Sequence, residues 1–510
     1  MNSATGWIRN RKWMRRALST IESFDRASLS VVAIVAAIVF ATLIALNAGN
    51  MSRWEFLPDT GSYVNYDYAN PWASLRSPGM PAYMDLIAQR GDIRAVLNLG
   101  ADWEQTAAIA AADPAANRAL LRISAANTIV IAFGAAMLAV ALCLYLPPAL
   151  AAFLTIAVTM CSGLFYRSYQ ILTEPPAIAV TLIFVAAMLL WLKRRYFWLL
   201  PALCLVAIAG FLIRPALIFL APISALAVAI ELWRNRRDLT RAAKSLVCGL
   251  LLCVGMLAFP FQLYLQSGEV TLGGLSGVSK LMFALFIAEP GDTALMQTDE
   301  QKAALEKFFE LKPESNAESE RALMNHSNEL NHSSLALRYV SSVNLYGHAL
   351  FNRQIMGDSN LSPIDLYRFD MAVAKPIINA HFGRYLEIIA ANFASAFGGS
   401  ADYFTSPILR GFDKILHIPT IVIRLIFPLC FALIAFALWR GRRDLRLPTA
   451  ALALIHLLHV LGVAIGHAAL SRYVLLTEWS LVLSAIMAAF SLIAAKFPFN
   501  DDRKGIYAQY

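Results

Sequence analysis

Long apolar runs recur along the chain, and most of them are separated by short polar stretches. A helix that crosses a lipid bilayer needs about 20 predominantly apolar residues, and ten runs approach or exceed that length. They lie near residues 29–47, 120–146, 148–166, 174–192, 197–213, 215–233, 245–265, 418–439, 448–470 and 473–495. The pattern predicts an all-α polytopic membrane protein with about ten transmembrane helices.

The apolar runs also define the organisation of the chain. We expect an N-terminal cytoplasmic segment (1–28), a transmembrane core (29–265) with a first outer loop (49–118), a second outer loop region (266–417), C-terminal transmembrane helices (418–495) and a cytoplasmic tail (496–510). Loops of this length are usually functional. Aromatic clustering predicts juxtamembrane helices in the first outer loop, and apolar residues at helical spacing between 385 and 396 predict an amphipathic helix in the second.

Composition and charge restrict the class of protein. Of the 510 residues 58% are apolar and 15% charged, whereas soluble domains carry about 25% charged residues, so a soluble globular enzyme is excluded. The net charge of +9 could indicate a nucleic-acid partner, but basic residues cluster beside apolar runs, at 9–26, 193–195, 234–244, 440–446 and 496–504. This is the positive-inside pattern of cytoplasmic loops. We therefore predict no nucleic-acid partner, both termini in the cytoplasm and both long loops on the outer face.

Six ionisable residues are predicted at the outer rim of the membrane, in segments far apart in sequence. They are Asp59, Arg76, Arg167, Glu174, Arg214 and Arg472. Ionisable groups near a bilayer are costly and indicate functional sites. Four guanidiniums with two carboxylates on one side would make an anion site with a base beside it, and arginine suits bidentate phosphate contacts.

The first outer loop carries the most distinctive local sequence. Pro58 is followed by Asp59 and Thr60, and Arg76 opens the turn Arg76-Ser77-Pro78-Gly79-Met80-Pro81. Two interpretations remain open. Asp59 is either a functional carboxylate facing the membrane surface or a helix N-cap, and the Pro-Gly pair is either part of a site or a turn.

Taken together, these motifs resemble the GT-C superfamily of integral-membrane glycosyltransferases, which includes protein O-mannosyltransferases and bacterial aminoarabinose transferases. The segments that carry the resemblance are Pro58-Asp59-Thr60 with Tyr63, the Arg76–Pro81 turn, Leu172-Thr173-Glu174, Arg214-Pro215 and Ser471-Arg472-Tyr473. Met80 stands where the family's R-x-P-G-Y-P turn has an aromatic residue. The matches run in order from about residue 57 to 480, and the stretch from 266 to 417 carries none.

The resemblance implies an inverting transfer of one sugar from a polyprenyl-phosphate donor at the periplasmic face of a bacterial inner membrane. The acceptor would be lipopolysaccharide, another cell-wall glycan or a protein. Asp59 would be the general base, and the donor phosphate would be held by Arg472 first, then Arg76, Arg214 and Arg167. The substrate-binding or orienting residues would be Tyr63, Glu174, Tyr83, Tyr473 and His467.

Metal use and two other functions stay open at the level of sequence. Relatives with paired acidic residues in the first loop have a second acid where this chain has Thr60, so no cofactor is assigned, although a divalent metal remains possible. His456 and His459 share a helix face and would either bind a metal or join helices by hydrogen bonds. The alternatives to a glycosyltransferase are a flippase for a lipid-linked sugar and a glycan polymerase.

Overall fold

The computed structural model is helical throughout the part of the chain that it describes. It describes residues 26–48, 58–74, 76–97, 99, 103–161, 172–273, 275–311, 351, 355–356, 361–395, 397, 427–466 and 471–496. No strand occurs among these residues. The predicted all-α class is therefore confirmed for the described residues.

The helices of the apolar runs form the bundle. They are α1 (Arg26–Ala48), α7 (Pro114–Cys143), α8 (Pro148–Cys161), α9 (Glu174–Arg194), α10 (Leu199–Ile213), α11 (Leu220–Arg234) with the preceding 3₁₀ helix Pro215–Phe219, α12 (Leu239–Ser267), α17 (Phe427–Arg440), α18 (Arg443–Gly466) and α19 (Ser471–Lys496). Six of the helices in the described part are long and apolar enough to cross a membrane, as expected of a multi-pass membrane protein.

The remaining helices belong to the two loop regions. In the first they are α2 (Pro58–Val64), α3 (Pro71–Ser74), α4 (Gly79–Ile87), α5 (Arg90–Val96) and α6 (Trp103–Ala112). In the second they are α13 (Leu275–Ile287), the 3₁₀ helix Pro290–Leu295, α14 (Asp299–Leu311), α15 (Pro363–Ala380) and α16 (Phe382–Ser395). Helices are therefore present in both loop regions where the sequence predicts them, although Ala396 lies outside the described residues.

Helix α7 begins six residues before its apolar run. Asp113 caps it by accepting hydrogen bonds from the backbone N–H groups of Ala115 and Ala116, and Pro114 occupies the first turn, where a missing N–H costs nothing. Ala116, with zero exposure, belongs to a core formed with the helices of the first loop. The first turns of α7 thus support that loop.

Contacts between distant segments define two ends of the bundle. At one end, Lys193 Nζ lies 4.0 Å from Asp444 Oδ2, and the basic connections between helices gather there; we call it the basic end. At the other end, Trp72 Nε1 donates to the backbone oxygen of Leu263 (3.3 Å), and Asn392 Nδ2 donates to that of Ala464 (3.0 Å). Both long loop regions therefore lie at this second end, which we call the loop end.

The second loop region has its own small core. Phe308 and Phe351 are fully buried in it, and Tyr385 and Ile388 of α16 point inward. His381 Nε2 lies 2.9 Å from the buried Asp292 carboxylate and fastens the start of α16 to the 3₁₀ helix. This unit rests on the bundle through the Asn392 bond to α18.

Candidate functional site

The described side chains cover five of the ten predicted site residues. The structure describes the side chains of Tyr63, Arg76, Tyr83, Glu174 and Arg214. Asp59 lies on α2, and Arg472 and Tyr473 lie in the first turn of α19, but their side chains are outside the described part of the structure. Arg167 and His467 lie outside the described residues altogether.

Arg76 packs against the helix that carries Asp59. Its Nε donates to Ser62 Oγ (3.1 Å), and its guanidinium carbon lies 5.3 Å from the centre of the Tyr63 ring. Tyr63 is itself buried. Asp59 and Tyr63 are four residues apart on one helix, so they share a helix face. The Arg76 guanidinium is therefore held about one helical turn from the position of Asp59.

The turn after Arg76 docks on the loop end of α10. Ser77 Oγ donates to the backbone oxygen of Ile213 (3.4 Å), and a Cβ on Gly79 would overlap backbone atoms of Leu212 and Ile213. Glycine at position 79 is thus required by a close backbone approach. Because Arg214 follows Ile213 directly, the two arginine motifs of the sequence meet at this contact.

Arg214 forms a buried ion pair with Glu174 at the start of α9. Arg214 Nη1 lies 3.1 Å from Glu174 Oε1 and donates to Thr173 Oγ1 (2.9 Å). The two residues are 7% and 3% exposed, so their charges compensate each other in a place of low dielectric. The Thr173-Glu174 and Arg214-Pro215 motifs are therefore one structural unit, in which Glu174 orients an arginine.

Two buried histidines connect α19 to this corner. Thr477 Oγ1 lies 3.0 Å from His456 Nδ1 and 2.7 Å from His459 Nδ1. The His459 ring is 4.9 Å from that of Phe219, in the 3₁₀ helix directly after Arg214. A hydroxyl has one proton to donate and two lone pairs that accept, so at most one of the two imidazoles accepts from Thr477 and at least one donates to it.

This histidine pair fixes the helix whose first turn carries Arg472. Thr477 lies five residues after Arg472 on α19, about one and a half turns along the helix. All three members of the His456–Thr477–His459 group are fully buried. Of the two interpretations of the histidines, helix packing is the one that these contacts support.

Tyr83 is positioned by α7. Its hydroxyl donates to Asn127 Oδ1 (2.9 Å), and burial raises its pKa above the ordinary value, so the phenol stays neutral. The ring belongs to the hydrophobic core shared by α7 and the first loop. Tyr83 therefore connects the first loop to α7.

Sequence reasoning missed Arg90, which holds the C-terminal end of α2. Arg90 Nη1 donates to the backbone oxygens of Tyr63 (3.1 Å) and Tyr66 (3.0 Å), and its Nε lies 3.0 Å from Asp85 Oδ1. Tyr68 donates to the same carboxylate, and partial burial together with this hydrogen bond raises its pKa to about 12. No sequence motif marks Arg90, since arginine in a polar stretch is ordinarily solvated.

These contacts gather segments that are far apart in sequence into one corner of the loop end. The corner consists of α2 with Asp59, the Arg76 turn, the Glu174–Arg214 pair and the His456–Thr477–His459 group; we call it the arginine corner. In the arginine corner, the guanidiniums of Arg76 and Arg214 are held in place by their contacts, and the backbone of Asp59 lies on the adjoining helix α2. Within the described part of the chain, no three His, Cys, Asp or Glu side chains are grouped to hold a metal.

Comparison with known proteins finds no matching family model, no similar curated protein and no similar solved structure.

Proposed function

We propose that the protein is an inverting glycosyltransferase that uses a polyprenyl-phosphate sugar donor. The observation that carries the proposal is the meeting of the Arg76 turn with the Ile213–Arg214 corner, beside the helix of Asp59. Fixed cations next to a candidate base are what transfer from a phosphate leaving group requires. The ordered motif resemblance to the GT-C superfamily supports the same function.

In the proposed mechanism, Asp59 takes the proton of the acceptor hydroxyl. The acceptor oxygen attacks the anomeric carbon from the face opposite the phosphate and forms the new C–O bond. The bond between the anomeric carbon and the phosphate oxygen breaks, and its electron pair remains on the phosphate. Arg76 and Arg472 stabilise this developing charge, and Arg214, whose charge Glu174 offsets, positions the Arg76 turn.

The basic end supports one orientation in the membrane. Cytoplasmic loops are rich in Lys and Arg, so we place the basic end in the cytoplasm and the arginine corner in the periplasm of a bacterial inner membrane. The shorter apolar helices α1, α8, α10 and α17 then complete ten crossings. The donor tail would lie between helices, with its phosphate at the periplasmic rim.

One experiment tests the proposal against the alternatives. The purified protein, reconstituted in vesicles, is given radiolabelled polyprenyl-phosphate sugars with candidate acceptors. We expect label in the acceptor, one sugar per acceptor, with the anomeric configuration inverted. Movement of intact donor across the vesicle membrane would show a flippase, and growing chains from a diphosphate-linked donor would show a polymerase; either result contradicts the proposal.

A further inference from the structure

Two exposed tryptophans lie at the basic end, each with an arginine stacked on its ring; we call them the Trp–Arg pairs. Trp439, in the last turn of α17, is 64% exposed, and the guanidinium carbon of Arg440 lies 4.0 Å from its ring centre. Trp233, in the last turn of α11, is 68% exposed, and that of Arg236 lies 5.5 Å from its ring centre. Tryptophan is mostly buried in soluble proteins but enriched where membrane proteins leave the lipid. The two pairs therefore indicate the boundary between lipid and water at this end.

An exposed apolar face of α17 leads to the first pair. Leu429, Phe436 and Arg440 are exposed, and Leu433 between them is partly buried. Because these positions are three or four residues apart, they follow one face of the helix. The rings of Phe436 and Trp439 are in edge-to-face contact, with their centres 6.0 Å apart. An acyl chain that packs on this face would end beside a tryptophan and a guanidinium.

Helix α11 has the same arrangement. Leu226 is exposed, Ile230 is partly buried, and Trp233 follows at the same helical spacing. Arg236 lies in the turn directly after the helix and stacks on that tryptophan. The order of apolar face, tryptophan and arginine therefore occurs on two helices that are about 200 residues apart in sequence.

Both pairs are held in place by hydrogen bonds from neighbouring polar side chains. Arg446 donates to the backbone oxygens of Trp439 (2.9 Å) and Gly441 (3.0 Å), at a helix end, where carbonyl groups lack a partner within the helix. After α11, Asn235 Nδ2 donates to the backbone oxygen of Glu231 (2.8 Å). The turns that carry the two pairs are thus fixed, so little conformational freedom would be lost when a ligand binds.

The surface around the Trp–Arg pairs is strongly positive. Segments 193–195, 231–244 and 440–446, which belong to the basic end, contain twelve Lys or Arg residues and three Asp or Glu residues. Each of these acids is paired with an arginine outside the Trp–Arg pairs: Asp444 with Arg442, Glu231 with Arg234 and Asp238 with Arg241. Such a surface attracts an anionic partner.

We propose that the two Trp–Arg pairs bind anionic phospholipids in the membrane leaflet at the basic end. The lipid phosphate accepts hydrogen bonds from the guanidinium, whose planar fork suits a phosphate. The tryptophan ring lies at the level of the headgroups, and the acyl chain packs on the exposed face of the helix. A soluble phosphate ester lacks this last contact, so the surface selects a lipid.

The Trp–Arg pairs are separate from the arginine corner. The span that begins after Arg214, at the loop end, runs from Pro215 to Arg234 and has 20 residues, which is about 30 Å of helix. Lipid binding at the basic end does not depend on the proposed glycosyltransferase activity, and the two are measured separately.

Two double variants with the same change in charge separate a specific site from diffuse attraction. Arg236→Gln combined with Arg440→Gln removes both stacked guanidiniums. Arg237→Gln combined with Arg443→Gln is the matched control. These two arginines are exposed, lie beside the same two turns and stack on no aromatic ring among the described residues.

The test uses delipidated full-length protein in neutral detergent, with thermal unfolding recorded for each variant. Phosphatidylglycerol and phosphatidylcholine with the same acyl chains are titrated by native mass spectrometry, and glycerol 3-phosphate is titrated separately. We expect saturable binding of phosphatidylglycerol that Arg236→Gln/Arg440→Gln weakens about fivefold, while the control variant changes it less than about twofold. Trp233→Leu/Trp439→Leu keeps apolar side chains but removes the rings, and we expect it to weaken binding by a similar factor.

Four results would overturn the proposal. Equal affinities for the two lipids would show that the headgroup charge is not recognised, and glycerol 3-phosphate bound as tightly as phosphatidylglycerol would assign a soluble ligand. Equal weakening by the two double arginine variants would show a diffuse attraction to positive charge. Unchanged binding of phosphatidylglycerol by folded Arg236→Gln/Arg440→Gln protein would exclude the Trp–Arg pairs as the site.

Discussion

The carboxylate of Glu174 lies 3.1 Å from the guanidinium of Arg214, and both side chains are buried. Removing one partner of such a pair leaves a buried charge uncompensated, whereas removing both does not. The pair thus couples the start of α9 to the end of α10, and through Ile213 it reaches the turn that carries Arg76.

The first prediction concerns this pair. Glu174→Gln or Arg214→Gln alone is expected to lower the free energy of unfolding by about 3–5 kcal/mol. The double variant is expected to lose less than the sum, with a coupling energy on the order of 1–3 kcal/mol. Denaturant unfolding in detergent measures the cycle, and additive losses would show that the two side chains act independently.

The second prediction concerns Gly79. Gly79→Ala places a methyl group on the backbone of Leu212 and Ile213, so the Arg76 turn must move away from α10. We expect at least a tenfold rise in KM for the donor, since misplacing a binding group by about 1 Å is costly. Gly91→Ala is the control: no atom lies within 4 Å of its added Cβ. Equal effects of the two variants on donor KM would refute the close approach.

Thr477 supplies the third prediction. Thr477→Val removes the hydroxyl that His456 and His459 share and should cost about 1–3 kcal/mol, because buried ring nitrogens lose their partner. Thr477→Ser should restore most of the loss. Ser484→Ala is the control. Ser484 lies on the same helix as Thr477, and its Oγ donates one hydrogen bond to the backbone oxygen of Thr449 (2.8 Å). Thermal unfolding compares them, and a Thr477→Val protein as stable as the wild type would contradict the assignment.

Arg90 supplies the fourth prediction. Arg90→Gln releases the carbonyls of Tyr63 and Tyr66, and with them the end of the helix that carries Asp59. We expect a loss of about 2 kcal/mol in stability together with a lower transfer rate. Arg94→Gln changes an exposed arginine of the same helix and should leave both quantities near the wild-type values. Equal losses of stability and transfer rate in Arg94→Gln and Arg90→Gln would contradict the role assigned to the hydrogen bonds of Arg90.

The contact between Tyr68 and Asp85 makes a prediction about alkaline pH. The pKa of Tyr68 is raised from 10.0 to about 12 in the folded protein, so the unfolded chain releases this proton first as the pH rises. The contribution of Tyr68 to stability is therefore complete below pH 10 and is lost between pH 10 and about 12. The stability difference between wild type and Tyr68→Phe should be constant below pH 10 and shift above it. A difference independent of pH through this window would contradict the raised pKa.

The sequence predicts the bundle helices well and the side-chain contacts poorly, for a physical reason. Apolar runs dictate where helices form, and the long runs gave α9 and α19 within two residues of the structure at each end. The partner of Glu174 depends on how α9 and α10 are rotated about their axes, which no local pattern specifies. Arg90 was missed for the same reason, because its acceptors are backbone oxygens 24 and 27 residues away.

The start of α7 differs from the position that the apolar run predicts, for another physical reason. The apolar run predicts a beginning near residue 120, but the helix begins at Pro114 because Asp113 caps it and the first loop covers its first turns. The length of an apolar run indicates only the part of a helix that can lie in lipid. It does not include a helical turn that is buried against another part of the protein.

The most direct test of the account is the rate at which Asp59→Asn protein releases polyprenyl phosphate from a bound sugar donor in a single turnover. Asp67→Asn, an exposed aspartate of the same loop, is the matched control. We predict that Asp59→Asn is inserted and binds donor normally but transfers at least about 100-fold more slowly, while Asp67→Asn transfers at the wild-type rate. A near-normal rate for folded Asp59→Asn protein would contradict the assignment of the base.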